Sequence, residues 1–312
     1  MSDQPAVFVT FPLPVELAAL RDAPYRLHWG EGKPPALDAD ERVAVRAIVT
    51  NGIKGAGAEL IDAFPNLDLV ASLGIGLDAI DLGRARERGI AVTNTPGVTT
   101  DDVADLAMWM IATSLRNTRA GNRYVEDGRW PTGPFPLATS LTGKTVGIVG
   151  LGAIGSGVAR RAEAHGMRVS WTGPRAKPGI TWPYIADLVQ LAAQSDVLVI
   201  ACAGGAATRR LIDARVLQAL GPRGLLVNVA RGSIVDSRAL GEVLDSGQLG
   251  AAALDVFEGQ PQVPDGLLNR ANVLLTPHMG SATQETRSRM GELVLQSLAD
   301  HFAGRQLAHR VV

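Results

Sequence analysis

Short apolar runs alternate with longer amphipathic segments along most of the chain, and this alternation constrains the fold more than any other feature. In the first third, strands are predicted at AVFVT (6–10), RVAVRAIVT (42–50), LDLVASL (67–73) and IAVTN (90–94). The segments between them have helical spacing: VELAALRDA (15–23), GAELIDAFP (57–65) and AIDLGRARERG (79–89). Such alternation predicts a parallel sheet with crossover helices on its faces.

A second series of the same kind begins at Lys144. Its predicted strands are TVGIVG, MRVSWTG, DVLVIAC, LLVNVA, LGAAALDV and NVLLT, and its helices lie near 153–165, 184–194, 208–220 and 236–247. A long helix over about 100–118 precedes this series, and a helix over about 281–303 follows it. Residues 119–143 are rich in Gly and Pro and predict a long irregular loop. The fold class is therefore α/β, with two doubly wound domains.

Composition excludes several classes of protein. The net charge is −1 with no long run of one sign, which argues against nucleic-acid and membrane partners. The single cysteine, Cys202, excludes an internal disulfide, indicates a reducing compartment and is predicted to be a small core residue. No apolar run reaches the ~18–20 residues that span a bilayer, and the first ten residues do not resemble a signal peptide. We therefore expect a cytoplasmic protein.

The turn Gly150-Leu151-Gly152-Ala153-Ile154-Gly155 lies between a predicted buried strand and a helix. In that context GxGxxG indicates a dinucleotide site. Gly150 permits the tight turn, Gly152 lets the pyrophosphate approach the backbone, and Gly155 lets helix and strand pack closely. The phosphates are expected at the helix N-terminus, around residues 153–156. The alternative is a plain strand–helix turn.

The end of the next strand bears on the choice between NAD and NADP. An NAD site usually places an acid there for the ribose 2′-hydroxyl, but no acid occurs from Ser170 to Gly179. Arg175 and Lys177 stand where a 2′-phosphate would lie, with Thr172 as a hydroxyl donor. Because a guanidinium grips phosphate with two hydrogen bonds, the sequence predicts NADP(H) preference and leaves NAD(H) open. The alternative is a solvated basic loop.

Three loops that follow apolar strands carry the candidate catalytic side chains. These are NVARGSIVD (228–236), ALDVFEGQP (253–261) and LLTPHMGSAT (274–283). Loops after parallel strands emerge at the carboxyl edge of the sheet, where ligands bind, so Arg231, Asp255, Gln260 and His278 are expected there. Arg231 suits a carboxylate, and His278 can carry a proton. The other four histidines show no ligand spacing, and no metal site is predicted.

Six motifs in order make the chain resemble the D-isomer-specific 2-hydroxyacid dehydrogenases, most of all their glyoxylate/hydroxypyruvate and hydroxyphenylpyruvate reductases. The motifs are VASLGIGLDAIDL, TPGVTTDDVADLAMWMI, GKTVGIVGLGAIG, VNVARGSIVD, AAALDVFE and TPHMGSAT. The resemblance implies that residues 1–95 plus 285–312 form a substrate-binding domain. Residues 96–284 would form an NAD(P)-binding Rossmann domain inserted into it.

The resemblance also implies the activity, which is reduction of a small 2-oxo acid to the D-2-hydroxy acid by NADPH. Arg231 would bind the substrate and polarise its carbonyl, and His278 would donate the proton. Asp255 would lie near the nicotinamide. Leu73, Gly74, Ile75 and Gly76 would bind the substrate carboxylate through backbone amides. Cofactor contacts are expected at Gly150, Gly152, Ala153, Ile154, Gly155, Ser156, Thr172, Arg175, Lys177, Val229, Ala230, Asp255, His278 and Gly280.

The resemblance further implies a homodimer formed through residues of about 100–140, with Trp130 contributing to substrate binding. Simpler interpretations compete at each position. Trp130 could be plain interface packing, Arg231 a surface ion-pair residue, His278 a core histidine and Asp255 a turn cap.

The chain departs from the family pattern at Gln260. The family has a glutamate there that hydrogen-bonds the catalytic histidine, and Pro261 fixes the register. Glu258 lies at a different position and is not assigned the role. Glutamine can still orient His278 but adds no charge, so His278 should protonate at lower pH than in relatives. The remaining alternatives are an aromatic 2-oxo acid reductase, a formate-type dehydrogenase, which also pairs glutamine with histidine, and a non-enzymatic cofactor-sensing protein.

Overall fold

The computed structural model describes residues 4–30 and 36–312, which form two compact α/β units. The first unit contains the described part of Met1–Thr99 together with Ala282–Val312, and the second is Thr100–Ser281. The predicted fold class, two doubly wound domains with one inserted into the other, is confirmed. The functions assigned to the two domains remain predictions.

The strands are β1 (Ala6–Val9), β2 (Arg26–Trp29), β3 (Val45–Asn51), β4 (Leu69–Leu73), β5 (Ala91–Thr93), β6 (Thr145–Val149), β7 (Arg168–Thr172), β8 (Val197–Ile200), β9 (Leu225–Asn228), β10 (Ala251–Leu254) and β11 (Val273–Leu275). The α-helices are α1 (Ala39–Ala44), α2 (Ala58–Asp62), α3 (Leu82–Glu87), α4 (Thr100–Leu115), α5 (Thr118–Glu126), α6 (Ala153–Ala164), α7 (Leu188–Ala193), α8 (Ala214–Leu220), α9 (Ser237–Asp245) and α10 (Gln284–Phe302). Short 3-10 helices cover Val15–Arg21, Trp130–Thr132, Ala206–Thr208 and Gly232–Ile234. None of the helices described is long and apolar enough to cross a membrane.

The sheet of the first unit is parallel throughout, in the order β2-β1-β3-β4-β5. Alternate residues of β1 enter opposite cores: Phe8 packs on the face of α2 and α3, and Val9 packs on the face of the 3-10 helix Val15–Arg21 and α10. The chain therefore leaves β1 toward one face and β3 toward the other. The carboxyl ends of β1 and β3 form the topological switch point, the place where such sheets bind ligands.

The second unit repeats this logic with six parallel strands in the order β11-β10-β9-β8-β6-β7. A single parallel bridge from Trp171 to Tyr184 adds a rudimentary strand beyond β7. With it, the order within the unit is 3-2-1-4-5-6-7, and its first six positions have the order of a dinucleotide-binding sheet. Helices α4 and α6 cover one face, while α7, α8 and α9 cover the other. The switch point lies between β6 and β8.

Three elements differ from the sequence expectations. The segment 42–50 is not one strand, because α1 occupies its start and β3 begins only at Val45. Strand β2 was not predicted. The predicted loop 119–143 begins inside helix α5, whose one buried residue, Tyr124, stacks edge-on against Phe135 with ring centroids 5.4 Å apart.

Candidate active site

The glycine turn after β6 is closed on one side and open on the other. Gly150 has a φ of 93°, and a Cβ built on it would lie 2.6 Å from the Cβ of Cys202. A Cβ on Gly155 would lie 2.1 Å from the carbonyl oxygen of Gly150. A Cβ on Gly152 would meet nothing within 4 Å. Gly150 and Gly155 thus permit close packing, while Gly152 leaves an open approach to the backbone.

The open side of this turn is the N-terminus of α6. Its N-cap, Gly152, has no side chain to cap the helix. The amides of Ala153, Ile154 and Gly155 have no acceptor in the described structure, whereas Ser156 N donates to the Gly152 oxygen at 2.9 Å. Three free amides with the positive end of the helix dipole suit an anionic group. These residues therefore fit a dinucleotide pyrophosphate, with the amides at 153–155 as donors.

Cys202 lies directly behind the glycine turn, half-buried at the end of β8. Burial raises the pKa of its thiol to about 11. The thiol is therefore neutral at physiological pH and acts as a small packing group, in keeping with the sequence expectation.

Basic side chains follow β7, and no acid stands among them. Thr172 is buried, with Oγ1 3.4 Å from the Ala186 oxygen, while Arg175 is exposed. Lys177 extends back to the glycine turn, where its Nζ donates to the Leu151 oxygen at 2.5 Å. Lys177 is thus hydrogen-bonded to the glycine turn, whereas the Arg175 side chain lies at the surface.

The turn that carries Arg231 is held by a buried amide at the end of β9. Asn228 is fully buried; its Nδ2 donates to the Arg231 oxygen at 2.9 Å, and its Oδ1 accepts from Ala230 N at 3.0 Å. Arg231 Nη1 donates to the Ala230 oxygen at 2.7 Å. Sequence reasoning missed Asn228, although a polar residue inside the apolar run LLVNVA is a visible signal.

The turns after β9 and β10 pack directly against each other. A Cβ built on Gly232 would lie 2.1 Å from the carbonyl carbon of Phe257 and 2.5 Å from Glu258 N. Only glycine permits this approach of two backbones. The turn of Arg231 is thereby fixed against the loop that leads to Gln260.

Asp255 organises the segment that carries His278. The carboxylate is 2% exposed; Oδ1 accepts from Thr276 Oγ1 at 2.6 Å and from Met279 N at 2.8 Å, and Oδ2 accepts from Gly280 N at 2.9 Å. The Asp255 oxygen also accepts from His278 N at 3.0 Å, which helps to hold His278 at a φ of 53°. These contacts favour the turn-cap interpretation of Asp255, and its role beside the nicotinamide remains a prediction.

Gln260, and not Glu258, is the partner of His278. Gln260 Nε2 lies 2.7 Å from His278 Nδ1, while Gln260 Oε1 is buried without a hydrogen-bond partner among the residues described. The carboxylate of Glu258 lies 3.7 Å from Arg209 and 3.8 Å from Arg210. The contact predicted at this departure from the family pattern is thus present. The catalytic roles of Arg231, Gln260 and His278 remain predictions.

The predicted carboxylate-binding loop follows β4 in the first unit. Leu73 is buried, and Gly74 exchanges hydrogen bonds with Thr95, from Gly74 N to Oγ1 and from Thr95 N to the Gly74 oxygen, both at 3.1 Å. The amides of Ile75 and Gly76 have no acceptor within residues 4–30 and 36–312. This turn therefore offers two free donors to an anion.

Trp130 belongs to the second unit and is 65% exposed. Across the part of the chain that the structure covers, no group of three or more His, Cys, Asp or Glu residues could hold a metal ion.

The profile of the family described as "D-isomer specific 2-hydroxyacid dehydrogenase, NAD binding domain" matches residues 108–280, which contain the glycine turn, Arg231 and His278. The chain belongs to the D-isomer specific 2-hydroxyacid dehydrogenase family.

Named relatives cover nearly the whole chain. Glyoxylate/hydroxypyruvate reductase A of Arabidopsis thaliana is 46% identical over 284 residues, covering 91% of each chain. Hydroxyphenylpyruvate reductase of Plectranthus scutellarioides is 44% identical over 308 residues, covering 98% of each chain. Among solved structures, the NADPH-dependent glyoxylate/hydroxypyruvate reductase of Sinorhizobium meliloti, in complex with NADP and malonate, superposes with a TM-score of 0.94 at 38% identity, covering 99% of this chain and 97% of that one.

Proposed function

We propose that this protein reduces small 2-oxo acids to D-2-hydroxy acids with a nicotinamide dinucleotide. The observation that carries the proposal is the contact of Gln260 with His278 at the carboxyl edge of a dinucleotide-type sheet. It places an oriented imidazole at the edge where the cofactor turn also lies. The relatives named as glyoxylate, hydroxypyruvate and hydroxyphenylpyruvate reductases support the substrate class.

Each residue has a stated part in the reaction. When bound, the nicotinamide would supply a hydride, one hydrogen with two electrons, for the carbonyl carbon, and the amides at 153–155 would hold the pyrophosphate. His278, as imidazolium, donates a proton to the carbonyl oxygen, so the alcohol forms without a free alkoxide. Arg231 binds the carboxylate and polarises the carbonyl. The Ile75 and Gly76 amides bind the carboxylate, and Gln260 positions the His278 ring.

A cofactor oxidation assay tests this function. Purified protein is mixed with NADPH or NADH and with glyoxylate, hydroxypyruvate or phenylpyruvate, and absorbance at the reduced-nicotinamide band is followed. We expect turnover that falls by about 10²–10⁴-fold in His278→Asn. His309→Asn is the matched control, because His309 lies near the C-terminus and is not among the proposed site residues, and this variant should retain activity. Tight cofactor binding without turnover of any 2-oxo acid would instead support the cofactor-sensing alternative.

NADP(H) preference is part of the proposal. It is supported by the absence of an acid from Ser170 to Gly179, by exposed Arg175, and by Lys177 reaching the glycine turn. Arg175→Ala should raise KM for NADPH about tenfold with little effect on NADH, because only NADPH carries the 2′-phosphate. Arg223→Ala, in the exposed turn before β9 at the opposite edge of the sheet, is the control. A wild-type preference for NADH would refute this part alone.

Two other activities are separable in the same assay. The glutamine–histidine pair keeps formate oxidation open, because moving a hydride from formate to NAD(P)⁺ requires no proton donor. Formate with NADP⁺ or NAD⁺ therefore belongs in the substrate panel. Reduction of larger aromatic 2-oxo acids is the second alternative, supported by the relative that is named as a hydroxyphenylpyruvate reductase.

A cytoplasmic homodimer completes the proposal. Exposed apolar side chains in the second unit support self-association through residues 100–140: Trp109, Val125, Trp130 and Leu137. Light scattering should give twice the 32.7 kDa mass of the chain. Trp130→Ala should lower kcat/KM if Trp130 contributes to substrate binding, whereas pure interface packing would change only the dimer affinity.

A further inference from the structure

We propose that Asn94 is a positioning residue for the substrate carboxylate: its side chain fixes the peptide between Ile75 and Gly76, so that the Gly76 amide stays turned toward the anion. The inference rests on the proposed function and deepens it, because it names the side chain on which the carboxylate subsite depends. All of these residues belong to the first unit.

The two free amides of the turn after β4 are oriented by the carbonyl oxygens beside them. In a trans peptide, the C=O of one residue and the N–H of the next lie in one plane and point in opposite directions. Thr95 N donates to the Gly74 oxygen at 3.1 Å, so the Ile75 N–H points away from Thr95. Asn94 Nδ2 donates to the Ile75 oxygen at 3.1 Å, so the Gly76 N–H points away from Asn94.

The peptide between Ile75 and Gly76 needs this anchor more than the one before it. Gly76 has no Cβ, so a rotation that reverses the C=O and N–H of this peptide meets little steric resistance. The Ile75 side chain is 42% exposed and therefore adds little packing to oppose the rotation. The reversed peptide would present a carbonyl oxygen, which repels a carboxylate. Asn94 opposes the reversal because its amide holds the Ile75 oxygen.

The sheet in turn fixes Asn94. The residue directly follows β5, which pairs with β4 on one side. On the outer side, β5 pairs with the segment that follows α10: Val311 N donates to the Val92 oxygen at 2.7 Å, and Thr93 forms an antiparallel bridge with Arg310. Because the backbone before Asn94 is held on both sides, its short side chain loses little freedom when it binds the Ile75 oxygen.

The test is the KM for the 2-oxo acid. Asn94→Ala should raise the KM for glyoxylate about fivefold to tenfold, the loss expected for one hydrogen bond. The kcat should stay within about twofold of wild type, because the carboxylate is bound equally in the ground and transition states. Phenylpyruvate should show the same factor, since it carries the same carboxylate, and the KM for the cofactor should not change. Asn94→Asp keeps the size of the side chain but has no donor, so it should raise the KM at least as much.

Asn66→Ala is the matched control. Asn66 Nδ2 donates to the Val43 oxygen at 2.9 Å, so this variant also loses a bond from an asparagine side chain to a backbone oxygen. Asn66 and Val43 precede β4 and β3, and therefore lie at the opposite edge of the sheet from Asn94. The KM for both oxo acids should remain at the wild-type value. Thermal unfolding of each variant shows whether a changed KM comes from partial unfolding.

The outcomes are distinct. A KM within about twofold of wild type for both oxo acids in both Asn94 variants, with wild-type turnover intact, overturns the Asn94 assignment and leaves the proposed function standing. A fall in kcat or a raised cofactor KM, without a raised KM for the oxo acids, also overturns the assignment, because it indicates a general structural role. Absence of wild-type turnover with every 2-oxo acid overturns the proposed function itself.

Discussion

Gln260 Nε2 lies 2.7 Å from His278 Nδ1, and the other end of the same amide, Oε1, is buried without a partner in the described structure. An amide nitrogen can only donate, so this orientation of Gln260 matches a neutral imidazole whose Nδ1 accepts. The imidazolium carries protons on both nitrogens, so it needs the amide reversed, with Oε1 toward the ring. A glutamine therefore can serve both forms of His278, but it stabilises the charged form less than a carboxylate would.

Gln260→Glu should shift the alkaline limb of the reduction rate to higher pH. A carboxylate beside the ring favours imidazolium, so the pKa of His278 should be higher in this variant than in the wild type. The proposed reduction uses protonated His278 and would be lost as pH rises through that pKa, so a raised pKa would extend activity to higher pH. The pH profile of kcat/KM measures the shift. Gln262→Glu, an exposed change in the same loop, should leave the limb in place, and an unmoved limb in Gln260→Glu would remove Gln260 from the mechanism.

Asp255→Asn should destabilise the second unit and impair turnover together. The carboxylate accepts three hydrogen bonds from Thr276, Met279 and Gly280, and an amide cannot accept all three without turning a donor toward a donor. The expected loss is about 2–4 kcal/mol in the free energy of unfolding, measured by urea denaturation. Asp265→Asn, at an exposed position, should change stability by less than about 0.5 kcal/mol. Equal stability of the two variants would contradict the anchoring role of Asp255.

Gly232→Ala should separate the turns that carry Arg231 and Gln260. The added Cβ would lie 2.1 Å from the carbonyl carbon of Phe257 and 2.3 Å from its oxygen, and these backbone atoms cannot move aside as the end of a side chain can. We expect a loss of about 1–3 kcal/mol in stability and a marked fall in kcat. Gly241→Ala is the control. Gly241 lies inside α9 and a Cβ built on it meets nothing within 4 Å, so this change should raise the free energy of unfolding by about 0.5–1 kcal/mol. Similar effects of the two changes would refute the close-contact argument.

Asp68 should contribute to stability at neutral pH and not in acid. Its Oδ1 lies 2.6 Å from His301 Nε2, and its Oδ2 pairs with Arg46. Burial alone raises the pKa of Asp68, but hydrogen bonds from His301 and Arg46 outweigh it, so its pKa lies below the ordinary value. A carboxyl group whose pKa is lower in the folded than in the unfolded state stabilises the fold at pH values above its unfolded pKa, which is near 4. That contribution is lost as the pH falls through the folded pKa.

Asp68→Asn should therefore lower the free energy of unfolding at pH 7 by about 1 kcal/mol after solvent screening. The difference from wild type should shrink as the pH falls below about 4. Denaturant midpoints at pH 7, 5 and 3 measure this trend, with Asp22→Asn as an exposed control. A difference that stays constant over that range would mean that the Asp68 charge plays no part.

Periodicity predicted the two sheets well, because parallel strands that are buried on both faces leave apolar runs in the sequence. It failed where a local signal was stronger. Segment 42–50 alternates like a strand, but Asp38 and Glu41 form a capping box, with Asp38 Oδ1 accepting from Glu41 N at 2.8 Å and Glu41 Oε2 from Asp38 N at 3.1 Å. That pair starts a helix ahead of β3, and the D-x-x-E pattern was readable in advance.

Other features could not be read from the sequence. Helix α5 is polar and buries only Tyr124, so it leaves no apolar stripe to detect. For the candidate site, the resemblance to the family, with its register fixed by Pro261, identified Gln260 as the neighbour of His278. Spacing did not show that Glu258 lies near Arg209 and Arg210, because that depends on how separate loops fold against each other.

The hydrogen bonds of Asp255 also determine which parts of the chain tolerate substitution. A buried charge whose three bonds hold residues 276–280 tolerates little change around it, so libraries directed at that segment should yield mostly misfolded protein. The turn after β3 is closed by its own hydrogen bonds, the turn after β4 is held by Thr95 through Gly74, and both present exposed side chains. Substitutions at those exposed positions should therefore leave the anchored segment 276–280 intact.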